Sequence, residues 1–180
     1  MAPMDSTDRN SFTERLRETR DAFVASVQGV SEEQGRFKAG PEGWSIQDCV
    51  EHLALAEPGL LRQICENSTA ADSPVSRERE TAILNSGGGN RQEKFKAPEK
   101  VQPTGRFGSL AEALRQFTAV RERTIAFVAG CDDDLRMRST VHPLRGPMRC
   151  SELLAFIVVH PLRHAAQIRE IKASAGYPVN

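Results

Sequence analysis

The chain has 180 residues, with 24 basic and 24 acidic side chains and a formal net charge of zero. That length allows one domain with a buried core, while the balanced charge and an aromatic content of only 6% argue against nucleic-acid binding. No apolar run reaches the roughly eighteen residues of a membrane span, so none is expected.

The opening Met-Ala-Pro-Met has no charged stretch followed by an apolar one, so no signal peptide is expected there. Cys49, Cys65, Cys131 and Cys150 show no C-x-x-C spacing. Together these features predict reduced thiols in the cytoplasm.

The first long helix is expected from Asp8 to Gln28, with Phe12, Leu16, Phe23, Val24 and Val27 on one face and Gly29 as its stop. Ser31-Glu-Glu-Gln34 reads as a short capped turn and Lys38 to Gly43 as a loop. Ser45 is the N-cap of the second long helix and Asp48 sits at N3. Trp44, just before the cap, is placed to pack on Cys49. Val50, Leu53, Ala56, Leu60 and Ile64 supply the buried side, and His52 lies among them. Asp48, one turn before His52, either orients that imidazole or simply caps the helix. Pro58 predicts a kink.

From Glu66 to Gly108 the pattern loosens. Ser73-Pro-Val-Ser76 precedes a short helix, Arg77 to Asn85, and Ser86-Gly-Gly-Gly-Asn90 breaks it. That glycine run is no phosphate loop, because no G-K-[ST] follows it. Ala97 to Gly108 is an extended, proline-marked connection, long enough to join two parallel helices of a bundle. Ser109 with Glu112 caps the third long helix, which Gly130 ends. Asp132 to Asp134 lacks the alternation of a calcium loop and reads as a solvated turn. Leu135 to Met148 is a connection, in which His142 is taken as a surface or loop residue without assigned chemistry.

The fourth long helix starts at Ser151, and Gly176 with Pro178 closes it. Leu153 to Val159 is apolar without a break, so this helix should run through the core. His160 and His164 follow, four residues apart and therefore on one side of a helix, as two ligands of one metal ion require. Pro161 between them deprives the Ile157 carbonyl of its helical partner, which predicts a kink or a break and leaves that carbonyl as a candidate acceptor near the site. The whole reads as an all-α four-helix bundle, one domain over residues 1–180, with no convincing strand pairs.

His52, His160 and His164 are the histidines in clearly helical settings. Three neutral imidazoles converging in a bundle would hold a divalent ion and leave positions open for water or substrate. The alternative is a set of core histidines satisfied by neighbouring carbonyls. Cys49, three residues before His52, is a weaker candidate for a fourth ligand and a better small apolar contact. Glu152 stands two turns from His160, too far to join. Gln167, one turn after His164, is either its support or a surface amide. Arg121 and Arg163 could meet an anionic substrate but are left outside the site.

Trp44-Ser-Ile-Gln-Asp-Cys-Val-Glu-His52-Leu, the long middle connection with Ala97-Pro-Glu, and His160-x-x-x-His164-x-x-Gln167-Ile resemble the DinB-like (YfiT-like) superfamily, a group read as metalloenzymes, many without an assigned reaction. The resemblance spans nearly the whole chain. It implies a four-helix bundle of up-down-down-up type, often a homodimer, with nickel, zinc or a similar ion on His52, His160 and His164. Relatives include transferases and isomerases that use low-molecular-weight thiols such as bacillithiol, mycothiol or glutathione, and hydrolysis is the other chemistry such a site supports. The expected function is therefore metal-dependent transferase or hydrolase chemistry on a small molecule. The competing expectation is a non-catalytic helical-bundle protein serving dimerisation or interaction. DNA binding is suggested only by the family's DNA-damage-inducible name, and the charge balance counts against it.

Overall fold

The computed structural model describes residues 5–72, 77–88, 91 and 95–179; Ser73 to Ser76, the end of the glycine-rich breaker and the extreme termini lie outside these. Four long helices carry the fold: α1 (Ser6–Val27), α3 (Ile46–Cys65), α5 (Leu110–Ala129) and α6 (Cys150–Lys172). Between them come the short helices α2 (Glu32–Arg36) and α4 (Arg77–Asn85) and strands β1 (Thr69–Ala70), β2 (Arg138–His142) and β3 (Gly146–Arg149).

Side-chain caps set several helix starts. Ser45 and Asp48 form a reciprocal capping box on α3, and Ser31 with Gln34 does the same on α2. Asp5 caps α1 and Ser109 caps α5. Gly29 adopts φ +74 just beyond α1, a left-handed turn that a residue with a Cβ rarely takes. Both proline-containing helices run through without a break, α3 past Pro58 and α6 past Pro161.

The expectation of no strand pairs is corrected: β1, β2 and β3 form a three-stranded antiparallel sheet, with Thr140 opposite Met148 and His142 opposite Gly146. Within β2, Thr140 and His142 turn inward while Val141 faces out. The usual apolar-in alternation is thus reversed, and Pro147 in β3 further hides the hairpin from a sequence reading.

Two apolar clusters fill the bundle. One gathers Leu16, Ile125, Leu153, Leu154 and Ile157; the other gathers Phe23, Leu53, Phe117, Ala165 and Ile168. Phe23 and Phe117 meet edge to face at 5.0 Å. Between the clusters along α3, α5 and α6 stand Glu57, Arg121 and His160, so a polar layer crosses the bundle where the histidines lie.

Candidate metal centre

α3 supplies His52, and α6 supplies His160 and His164, one turn apart. The three rings converge. Their centroids lie 5.2 Å (His52–His160), 5.0 Å (His52–His164) and 4.9 Å (His160–His164) apart. One ring nitrogen from each falls within 4.8 Å of the others. The Nε2 atoms of His160 and His164 are 3.2 Å apart, close to the roughly 3.3 Å that two nitrogens span on a tetrahedral zinc ion.

Neighbours fix which nitrogens face inward. His52 Nδ1–H donates to the Val101 carbonyl at 2.8 Å, and His164 Nδ1–H donates to Gln167 Oε1 at 3.1 Å. These two rings therefore keep the Nε2 lone pair for the centre, the usual arrangement of a supported histidine ligand. Burial is the leading cause that lowers the pKa of all three, and holds His160 and His164 well below the ordinary 6.5. The rings are consequently neutral, as metal ligands must be. Trp44 stacks on His164 at 5.9 Å and leans on His52 at 4.9 Å, and Phe156 stacks on His160 at 5.1 Å. Convergent lone pairs held in an aromatic surround fit a divalent ion.

The Val101 carbonyl comes from the long connection, which α3 itself pins. Glu51 Oε1 accepts the N–H groups of Thr104 at 2.8 Å and Arg106 at 3.2 Å, and Gln47 Nε2 donates to the Phe107 carbonyl at 3.0 Å. Sequence reasoning missed this support, because a backbone carbonyl carries no residue-type signal.

Several alternatives left by the sequence are now decided. Asp48 caps α3 and pairs with Lys38 at 2.9 Å, while Val101 rather than Asp48 orients His52. Gln167 supports His164. Glu152 caps α6, accepting the Arg149 N–H at 2.9 Å. Cys49 is outside the cluster, and its thiol is pushed up by burial. Arg121 is wholly buried and paired with Glu57 at 2.8 Å, so it is unavailable to a substrate.

A cavity of about 650 Å³ opens beside the histidines, walled by Trp44, Leu60, Phe95 and Phe156. His142 lines it as well, which corrects its expected place in a surface loop: it ends β2 and is only 5% exposed.

The family model of the DinB superfamily matches residues 15–168. An uncharacterised protein of Bacillus subtilis (strain 168), YuaE, is 27% identical over 146 residues, covering 81% of this chain and 88% of its own. Among solved structures, YfiT from Bacillus subtilis superposes with a TM-score of 0.62 at 17% identity, over 97% of this chain and 91% of its own. That protein is described as a probable metal-dependent hydrolase with an unusual four-helix bundle topology. With the family model covering most of its length, the chain belongs to the DinB superfamily.

Proposed function

We propose that the protein is a metal-dependent enzyme in which His52, His160 and His164 ligate one divalent ion, nickel or zinc, beside a pocket for a small molecule. The observation that carries this reading is the convergence of three neutral imidazoles within 4.8 Å at the wall of a 650 Å³ cavity. Such an ion, when bound, acts as a Lewis acid that lowers the pKa of water or of a thiol and polarises a substrate oxygen.

The chain's own residues do the rest. Val101 and Gln167 hold two of the rings in one tautomer. Trp44 and Phe156 restrict water around the histidines. Among the described residues no cysteine lines the cavity, and burial raises the Cys49 and Cys150 thiols, the latter to about 11. Two external nucleophiles suit the site: water, giving the hydrolysis named for YfiT, or a low-molecular-weight thiol, giving transfer.

The connection from Cys65 to Leu110 supports an up-down-down-up order, since it is long enough to return the chain for a parallel neighbour. The four free cysteines suit a reducing cytoplasm, and sedimentation analysis tests the homodimer that family membership suggests.

Metal analysis of protein purified without a histidine tag tests the central claim. About one nickel or zinc per chain is expected, with loss in His164→Ala and in His52→Ala. Protein that stays metal-free after addition of either ion defeats it, and leaves the non-catalytic bundle as the better account.

A further inference from the structure

His142 closes β2, and its Nδ1 accepts two backbone N–H groups, from Leu144 and Arg145, each at 3.1 Å. With that nitrogen used as an acceptor, the neutral ring carries its hydrogen on Nε2. Burial and the nearby Arg145 charge lower the group to about 4, so it stays neutral in ordinary buffers. Among the described residues the Nε2–H has no hydrogen-bond partner, and it is not one of the side-chain atoms sealed in the core. The ring nevertheless lines the cavity at 5% exposure. A donor open to the cavity in this way is available to an acceptor that enters it.

Arg145 stands beside it on the same turn. Its guanidinium lies 5.1 Å from the Phe156 ring centre and 5.9 Å from that of Phe95. No carboxylate of the described residues pairs with it. Arg91, another cation on the cavity wall, is paired with Glu170 at 2.8 Å. Phe156 links the two regions, touching His142 at 4.8 Å on one side and His160 at 5.1 Å on the other.

We propose that His142 and Arg145 form an oxyanion-binding subsite, so that the cavity takes an organic anion. Its carboxylate or similar group accepts from His142 Nε2–H and the Arg145 guanidinium. Its apolar body lies along Phe156 and Leu60, and its reacting end reaches the three histidines. This assignment of substrate class rests on the metal-dependent reading above. A charged acceptor matches the donor set, since one neutral N–H and one guanidinium together supply directed bonds and a single compensating charge.

The test uses cobalt(II)-loaded full-length protein and a series of ω-mercaptoalkanoates of increasing length, each against its neutral primary amide. The thiolate-to-cobalt absorption band reports the Kd of both. At one chain length the acid is expected to bind at least about tenfold more tightly than its amide. Arg145→Gln and His142→Phe should each remove most of that preference. Equal affinities at every length, or a preference unchanged in Arg145→Gln, overturn the proposal. Arg145 is exposed, so that arm stands even if His142→Phe fails to fold by circular dichroism. If cobalt gives no ligand-field spectrum, the metal reading alone falls. The subsite is then judged on metal-free protein by titrating 4-phenylbutanoate against 4-phenylbutanamide, with the same criterion.

Discussion

Arg121 Nη2 donates to the Ile157 carbonyl oxygen at 3.0 Å, the carbonyl that Pro161 leaves without a helical partner. The same guanidinium reaches Glu57 at 2.8 Å and, through Nη1, Thr19 and the Leu16 carbonyl. Thr124 completes the Glu57 carboxylate at 2.7 Å. A proline one residue after a proposed ligand is thus tolerated because an arginine from α5 replaces the missing N–H. Arg121→Leu should destabilise the protein by about 3–5 kcal/mol, since it strands the Glu57 charge in the core. The double change Arg121→Leu with Glu57→Leu should recover a good part of that loss. Urea midpoints across the cycle measure it, and strict additivity would show that the pair is not coupled.

Gly88 packs directly on α6. A Cβ at this position would run into the Arg163 backbone nitrogen, and the residue sits at φ +95. Neither the helix backbone nor the left-handed conformation yields to a methyl group. Gly88→Ala is expected to cost about 1–3 kcal/mol. Amide exchange should quicken around Gly88 before it does in α1. A variant as stable as the parent would mean that this turn does not press on the helix beside His164.

Gln167 acts on the candidate centre only through His164. Gln167→Leu keeps the volume and removes the acceptor that fixes the ring's tautomer. Competition with a chromogenic chelator should show metal affinity lowered by about 10- to 100-fold. Its melting temperature without metal should move little, because Gln167 is only partly buried. Equal affinities in parent and variant would assign the glutamine to the helix surface.

Local chemistry made much of this legible in the chain. Ser45 and Asp48, Ser31 and Gln34, and Ser109 mark helix starts because capping is a short-range bargain between adjacent residues. The four-residue spacing of His160 and His164 carries its own geometry, and the two rings do face each other. What stayed hidden depends on distant partners. Glu57 is 64 positions from Arg121, and nothing in either residue's neighbourhood announces the pairing. The β2–β3 hairpin buries Thr140 and His142 and exposes Val141, so its alternation points the wrong way. With the hairpin unread, His142 could not be placed at the cavity.

Acid should weaken the metal-free protein through its histidines. His142 falls to about 4 in the folded state from an ordinary 6.5, chiefly by burial and then by the Arg145 charge. His160 and His164 are lowered further, again by burial first. Below pH 6.5 the unfolded chain therefore binds protons that the folded one refuses. Stability is full above that value and declines as pH drops. The share of His142 is complete near pH 4 and amounts to about 3 kcal/mol at most. Zinc should oppose the decline, because it binds the folded state, and should itself be released as protons compete for the ring nitrogens. Urea midpoints between pH 8 and pH 4, with and without zinc, trace both effects, and His142→Phe should flatten the metal-free curve. A midpoint independent of pH across that range would show that these rings take up protons in the fold as readily as in the unfolded chain, and would remove the buried, neutral arrangement on which the proposed centre depends.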